Sequence, residues 1–361
     1  MMKIIFAGGG TAGHIEPALS IARLWQGLHP KDSLEFLGTA KGLENQLVPA
    51  AGFKLHQIPK VSVPRKLTPS LIALPFTLLR AFSASRKILK DADLLIGFGG
   101  YVSAPAYLAA KSLRTPFVVH EANAKPGFAN RLGARMTPYS AVAQAIEKGS
   151  LSKALITGIP LRPDVAKAYS DASSDWDRAR AAAKSALGFS PTATLTLAFF
   201  GSQGSVALNA VIENSLPTLL SNGSQLLHAV GKLNALPKDQ ERYKSTAYIE
   251  DMATAYLAAD LIISRSGAIS CSEINALGRY SLFIPLPIGN GEQRFNASQI
   301  IAQGRGEIID QALFSAAWLA SNFNRLLIKS SASPIAGSDI DLRASEKIVN
   351  FMDFGLTGAR K

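Results

Sequence analysis

This chain has almost no cysteine. Cys271 is the only one in 361 residues, which excludes an internal disulfide and fits a reducing compartment. Long apolar runs are missing too: no stretch reaches the roughly 18 uncharged apolar residues of a membrane-spanning helix. The N-terminus shows no basic segment leading into an apolar run and a small-residue cleavage site. No signal peptide is therefore expected, and the protein is placed in the cytoplasm. There is no D-x-D carboxylate pair, no Cys/His set and no HExxH, so neither a metal nor another cofactor is expected. RNP aromatics and zinc-finger spacings are equally lacking, which removes nucleic acid as an expected partner. Acidic residues are scarce in one half only. Residues 1–160 carry 19 Lys and Arg against 8 Asp and Glu, a net +11, whereas residues 161–361 carry 19 against 18, a net +1. A basic half calls for an anionic partner, such as a membrane face or a phosphorylated substrate.

At this length two domains are the natural expectation, and 47% hydrophobic residues suffice to bury two cores. The chain is organised around Gly8-Gly9-Gly10-Thr11-Ala12-Gly13-His14-Ile15-Glu16-Pro17. The apolar run Lys3–Ala7 before it reads as a buried parallel strand. Ala18, Leu19, Ile21, Ala22 and Trp25 after it are spaced like the inner face of a helix over 16–28. Pro17 is expected in that helix's first turn, where its missing N–H costs nothing. Strands are then expected over 33–37, 54–58, 93–97, 116–120, 139–143 and 153–157, with helices over 42–51, 103–112 and 127–134. Such alternation predicts an α/β fold with a parallel sheet covered on both faces. Pro160 and Pro163 mark a stiff connection, followed by a polar stretch over 164–185, and the domain boundary is set near 160. The pattern then restarts with a strand over 194–200, the glycine turn Gly201–Ser205 and a helix over 206–220. Strands over 225–230, 246–249, 260–264 and 281–286 follow. Helices are expected over 252–258, from Gly267, and over 295–303, 312–328 and 343–354.

A glycine turn between strand and helix leaves N–H groups exposed at the helix start, a seat for phosphate or pyrophosphate. Gly8-x-Gly10-x-x-Gly13 is also a literal dinucleotide fingerprint, with Glu35 in the next strand as the ribose acid. A plain tight turn is the alternative. His14 stands beside the seat. The positive end of the helix dipole disfavours imidazolium, so a neutral ring fit for general-base work is expected, against a purely structural histidine. Phe98-Gly99-Gly100-Tyr101-Val102-Ser103 and His120-Glu121-Ala122-Asn123 each end a strand. Both clusters thus share the sheet edge where doubly wound sheets bind ligands. In the second half, Ser266-Gly267 open a helix that offers N–H groups to a diphosphate. Glu273, one to two turns further, is either in reach of ribose hydroxyls or simply solvated. Gln293 and Asn296, at i and i+3, suit the hydroxyl and acetamido groups of a sugar, or serve as a helix cap.

Residues 67–82 form an apolar stretch that is too short to span a bilayer and is interrupted by Pro75. Leu71, Ile72, Leu74, Phe76, Leu78, Leu79 and Phe82 supply apolar surface. Arg65, Lys66, Arg80, Arg86 and Lys87 are among the cations around it. This pairing fits an anionic membrane face; an ordinary core helix with a basic end is the alternative.

Taken in order and spacing, the motifs resemble one family. They are Gly8–His14, Gly99-Gly100-Tyr101, His120-Glu121-x-Asn123, Gly158-x-Pro160-x-Arg162, Gly201-Ser202-Gln203-Gly204, Arg265–Glu273 and Gly291-Glu292-Gln293-x-x-Asn296-Ala297. The chain resembles, over nearly its whole length, the MurG family of lipid-linked N-acetylglucosaminyltransferases of peptidoglycan synthesis. The resemblance implies a GT-B fold: two Rossmann-like parallel-sheet domains, 1–160 and 161–342, facing a cleft, with a helix at about 343–361 returning to the first. It implies an inverting, metal-independent transfer of N-acetylglucosamine from UDP. The acceptor would be the 4-hydroxyl of undecaprenyl-diphospho-N-acetylmuramoyl-pentapeptide, so that lipid I becomes lipid II. The enzyme would be peripheral, on the cytoplasmic side of the cell membrane.

The same resemblance assigns residues. His14 would be the general base, with Glu121 the runner-up. Thr11, Ala12, Gly13, Asn123, Arg162, Ser202, the backbone of Ile249, and Gln293 would bind UDP-N-acetylglucosamine. So would Ala268, Ile269, Ser270, Cys271, Ser272 and Glu273. Gly9, Gly10, Thr11 and Tyr101 would hold the acceptor's diphosphate, and the basic apolar stretch would dock on the anionic inner leaflet. Ala122 and Glu292 stand where members of the family have glutamine, and Ala12 where glycine is common. No contact is carried over at Ala122, and the sugar contact at Glu292 or Gln293 stays open. Three rivals remain on the residues alone. A nicotinamide-dependent oxidoreductase gives no role to Gln293 or the apolar stretch. A membrane-recruited sugar-nucleotide sensor would bind without turnover. A UDP-sugar epimerase of the same fold would need no lipid acceptor.

Overall fold

The computed structural model of the chain describes residues 1–61, 70–288 and 291–359. It divides into two compact units, Met1–Arg162 with Ile340–Lys361, and Pro163–Asp339. The first unit runs β1 (Lys3–Gly8), α1 (Ala12–Leu28), β2 (Ser33–Gly38), α2 (Glu44–Ala50), β3 (Lys54–Gln57), α3 (Ser70–Leu89), β4 (Leu94–Gly99), α4 (Ser103–Leu113), β5 (Phe117–Glu121), α5 (Phe128–Gly133), β6 (Ser140–Val142) and β7 (Leu155–Ile156). Its strands form one parallel sheet ordered β3-β2-β1-β4-β5-β6-β7. Ile4 and Phe6 enter one core with Trp25, while Ile5 and Ala7 enter another with Tyr107 and Val119. Both faces are covered, which is why β1 reads as an unbroken apolar run.

The second unit runs α6 (Pro163–Ala172), α7 (Trp176–Ala186), β8 (Leu195–Phe199), α8 (Val206–Asn214), α9 (Leu216–Leu219), β9 (Gln225–Ala229), β10 (Tyr243–Thr246), α10 (Met252–Ala258), β11 (Leu261–Ser264), α11 (Ala268–Leu277), β12 (Tyr280–Phe283), α12 (Glu292–Asn296), α13 (Ser298–Ala302), β13 (Gly306–Ile308) and α14 (Ala316–Ala332). Its parallel sheet is ordered β10-β9-β8-β11-β12-β13. The last helix, α15 (Ala344–Ala359), belongs to the first unit, where Ile348, Val349 and Met352 join the Trp25 core. Strand order reverses between β1 and β4 in one sheet and between β8 and β11 in the other. Each reversal opens a crevice at the C-terminal strand ends.

The structure departs from the expected elements in several places. Helix α1 begins at Ala12, so Pro17 is its sixth residue and the bond its N–H would have made to the Gly13 carbonyl is absent. The polar stretch after the boundary is helical. Arg180 looks like a surface residue but is buried, donating to the carbonyls of Leu257, Leu277 and Ile335. The helix expected over 206–220 breaks in two at Ser215, where Pro217 opens α9. The strand expected over 246–249 lies three residues earlier, and the short edge strand β13 was not anticipated.

Candidate active site

In the first unit the glycine turn after β1 and the Gly99-Gly100 turn after β4 meet at the switch point. His14 lies half-buried in the first turn of α1. Its Nδ1 is 3.2 Å from the Gly9 carbonyl oxygen and 3.1 Å from Thr11 Oγ1. A carbonyl only accepts, so a hydrogen bond to Gly9 requires the Nδ1–H tautomer, which leaves the lone pair on Nε2. Gly99 borders the ring: a Cβ there would lie 3.3 Å from Nε2 and 3.2 Å from Asn130 Nδ2.

Behind the turn stands Glu44, which nothing in the sequence singled out. A lone carboxylate at a helix start reads only as a favourable charge at the dipole's positive end. It is fully buried. Gly10 N–H donates to its Oε2 (3.0 Å), and Thr39 N–H and Oγ1 donate to Oε1 (2.8 and 2.9 Å). Burial pushes this carboxyl up, but the donated hydrogen bonds outweigh that and hold it below its usual value. The Gly10 N–H is therefore engaged inward. In the first turn of α1, His14 N–H donates to the Thr11 carbonyl (3.1 Å), while the N–H groups of Ala12 and Gly13 have no acceptor within the helix. Tyr101 covers Gly10, its ring 3.1 Å from where a Cβ would stand, and Lys60 Nζ sits 4.2 Å above the ring centroid.

Glu121 is buried with both oxygens occupied. Asn123 N–H and Nδ2 donate to Oε1 (2.9 and 3.0 Å), and Gly127 N–H and Asn130 Nδ2 donate to Oε2 (2.9 and 3.1 Å). It thus organises the loop after β5, and the Asn123 amide turns back onto it. Tyr107 OH in turn donates to Asn130 Oδ1 (2.8 Å). Glu35 does not stand at the strand end as a ribose acid must. It sits mid-strand in β2, 2.7 Å from His56 Nε2 and 3.3 Å from Lys54 Nζ. The dinucleotide fingerprint loses its acid. Arg162, half-buried, closes the unit.

In the second unit the turn Gly201–Gly204 packs directly on the end of β9, where a Cβ on Gly204 would overlap the Val230 carbonyl. Lys232 N–H donates to the carbonyl of Ser202 (3.2 Å). At the end of β11, Ser266 Oγ is buried with no hydrogen-bond partner among the described residues. Gly267 caps α11, leaving the N–H groups of Ala268, Ile269 and Ser270 in its open first turn. Cys271 is different. Its N–H donates to the Gly267 carbonyl (2.9 Å) and its thiol is buried and pushed up by burial. Ser272, Glu273 and Ile249 are buried, so Glu273 is not a solvated carboxylate. Gln293 Oε1 accepts from Leu286 N–H (3.0 Å), which leaves its NH2 group as the donor for a ligand. Asn296 Nδ2 donates to the Ser266 carbonyl (3.1 Å), and Arg265 donates to the carbonyls of Ile284 and Pro285 (both 3.1 Å). Among the described residues, no group of three or more His, Cys, Asp or Glu is placed to hold a metal ion.

Helix α3 buries Ala81, Ser85 and Leu89. Its other face leaves Phe76 and Leu79 70% and 61% exposed, then turns basic at Arg80, Arg86 and Lys87. Leu74, Leu78 and Phe82 are half-buried. A surface pocket of about 420 Å³ is lined by Phe82, Ser83, Arg86, Lys87, Lys90 and Leu113. The side chains of Leu71, Ile72 and Ala12, and all of Arg65 and Lys66, lie outside the described residues. Among the described residues, no helix is long and apolar enough to cross a membrane.

Residues 4–141 match the glycosyltransferase family 28 N-terminal domain, and residues 196–347 match its C-terminal domain. A UDP-N-acetylglucosamine--N-acetylmuramyl-(pentapeptide) pyrophosphoryl-undecaprenol N-acetylglucosamine transferase of Corynebacterium glutamicum (strain R) is 45% identical over 317 residues, 87% of this chain and 86% of that protein. Transferases of the same name from Thermobifida fusca and Frankia casuarinae are 40% and 41% identical, across 96% and 100% of this chain and 94% and 98% of theirs. The chain belongs to this transferase family. Crystallised Acinetobacter baumannii MurG is similar in fold, with a TM-score of 0.74 at 24% identity over 98% of this chain and 100% of that one. So is a UDP-GlcNAc 2-epimerase from Neisseria meningitidis, with a TM-score of 0.62 at 13% identity over 98% and 100%. In the family's terms, the N-terminal domain carries His14, Tyr101 and Glu121. The C-terminal domain carries Ser202, the open turn of α11 and Gln293.

Proposed function

We propose that the chain transfers N-acetylglucosamine from UDP-N-acetylglucosamine to the 4-hydroxyl of undecaprenyl-diphospho-N-acetylmuramoyl-pentapeptide. This turns lipid I into lipid II in peptidoglycan synthesis, with inversion and without a metal. The observation that carries the reading is near-full-length likeness, at 40–45% identity, to transferases named for this reaction.

In this chemistry His14 Nε2 removes the acceptor hydroxyl proton as that oxygen attacks the anomeric carbon. The bond from this carbon to the β-phosphate oxygen breaks, and UDP departs with the electron pair. Attack opposite the leaving group inverts the configuration. Glu121, saturated by four donors, positions the loop and is the second candidate for the base. Gly9, Gly10, Thr11 and Tyr101 receive the acceptor diphosphate, Gly10 by its bare Cα rather than the N–H that Glu44 holds, and Thr11, Ala12 and Gly13 also bind the sugar nucleotide. The leaving diphosphate is met by Ser202 and the first turn of α11, where N–H groups and the helix dipole stabilise developing negative charge. Glu273 takes the ribose, the Ile249 backbone takes uracil, and Gln293, Asn123 and Arg162 take sugar and phosphate. The exposed apolar and basic face of α3 docks the protein peripherally on the anionic cytoplasmic leaflet.

The test is transfer of labelled sugar to a short-chain lipid-linked muramoyl acceptor in EDTA, for wild type and His14→Ala. Transfer by wild type, lost in a variant that still binds UDP, supports the reading. Full activity of the variant sinks the base assignment alone. UDP binding without transfer to any lipid acceptor sinks the transferase.

A further inference from the structure

We infer that Glu44 is a positioning residue for His14, acting through the peptide group that joins Gly9 to Gly10. This inference rests on the reading of His14 as the base. The N–H of that peptide donates to Glu44 Oε2 (3.0 Å), and its C=O lies 3.2 Å from His14 Nδ1. In a trans peptide these two groups point in opposite directions. One peptide is therefore held from behind by a carboxylate and presents its oxygen to the imidazole in front.

The arrangement has the logic of a carboxylate–histidine pair with a peptide inserted between the partners. A negative charge on the N–H side polarises the peptide and strengthens its oxygen as an acceptor. A stronger acceptor favours the Nδ1–H tautomer, keeps the lone pair on Nε2 and makes the ring more basic. Glu44 is well placed to hold this role. Thr39 N–H and Oγ1 lock its other oxygen. Gly38 and Gly42 make room for it, since a Cβ on either would overlap its side chain, and a Cβ on Gly9 would stand 3.0 Å from Oε1. Other titratable groups on the elements that meet here include Lys3 on β1, Glu16 and Arg23 on α1, Glu35 on β2, Lys41 before α2, Lys54 and His56 on β3, Lys60 after it, Tyr101 after β4, and His120 and Glu121 on β5. Glu35 is taken by His56 and Lys54, and His120 faces the Gly158 carbonyl. Lys60 stacks on Tyr101, and Glu121 is bound by its own loop. Glu44 is the one whose carboxylate accepts from Gly10.

A buried carboxylate beside the seat of an anion would otherwise be a liability, because like charges repel. Its position is explained if the charge serves the base. Glu44→Gln tests this, because an amide cannot accept from both Gly10 and Thr39 with its two ends. The reporter is the ring of His14, read by ¹⁵N-detected histidine spectra and assigned with His14→Ala, in a chain with only 5 histidines.

In wild type, His14 is expected to carry its neutral-form proton on Nδ1. In Glu44→Gln that preference weakens and the ring pKa falls. The acid limb of the kcat profile then moves down by about half a pH unit or more, and kcat drops about tenfold, with the KM for UDP-N-acetylglucosamine within about twofold. A wild-type ring protonated on Nε2 overturns the inference, and so does a Glu44→Gln variant with unchanged ring signals and pH profile. If Glu44→Gln does not fold, the wild-type tautomer decides alone. Full transfer by His14→Ala would remove the base reading, yet the ring spectra would still report whether Glu44 controls His14.

Discussion

Gly100 packs its bare Cα against the hydrogen bond that His14 Nδ1 makes to Gly9. A Cβ on Gly100 would overlap the Gly9 carbonyl oxygen and lie 3.3 Å from His14 Nδ1, and Gly100 has a φ of +80° that disfavours any side chain. Gly100→Ala is therefore predicted to displace the Gly9–His14 pair. We expect transfer to fall about a hundredfold, with UDP protection of the second unit unchanged in a thermal shift. An active Gly100→Ala enzyme would show that this contact does not set the base.

Glu121 and His14 are separated by a second variant. With four donors on its oxygens, Glu121 is read as a loop organiser. Glu121→Gln should cost about 2 kcal/mol of stability, since one end of the amide faces donors it cannot accept. Transfer should persist at a reduced rate with the pH profile unshifted. Complete loss of transfer in a folded variant would make Glu121 the base.

Lys60 is predicted to bind the acceptor. Its ammonium is held over Tyr101, beside the turn proposed for the diphosphate. Lys60→Gln should raise the KM for the lipid-linked acceptor several-fold, about 1 kcal/mol, and leave the KM for the sugar nucleotide alone. Equal changes in both constants would count against a local contact.

Two buried histidines set an acid limit. Burial lowers His120, although its bond to the Gly158 carbonyl opposes this, and burial lowers His228, each from 6.5 to about 4. Between those values the unfolded chain holds more protons. Stability is thus unaffected by these rings above about pH 6.5 and falls as the pH drops toward 4, by on the order of 3 kcal/mol per ring at most. The thermal midpoint should drop steeply between pH 6.5 and 4.5. His228→Phe should flatten that slope, even though it leaves Tyr243 and Asn209 without their partner.

The α3 face predicts reversible membrane binding. Phe76→Glu with Leu79→Glu places two carboxylates on the exposed large apolar positions among the described residues of that helix. Sedimentation with vesicles containing anionic lipid should be lost, while circular dichroism and UDP binding are retained. Retained sedimentation would place the contact elsewhere.

The amino-acid order alone determined the two parallel sheets and the edge on which the polar clusters stand. Apolar runs ending in glycine turns encode strands buried on both faces, and a turn after a strand necessarily sits at its C-terminal end. Local spacing also marked His14 and the open turn at Gly267. Tertiary structure decided the rest. Glu44 meets Gly10 across 34 residues, an encounter set by β2 lying beside β1. Glu35 has the right spacing for a ribose acid, but pairing with β3 gives it to His56 and Lys54. Arg180 looks like a surface residue until three backbone carbonyls distant in sequence, at the ends of α10 and α11 and in the loop after α14, close around it. Periodicity records which face of an element is apolar. It carries no record of which polar group from another element will arrive opposite a given donor, because strand order, not spacing, fixes that meeting.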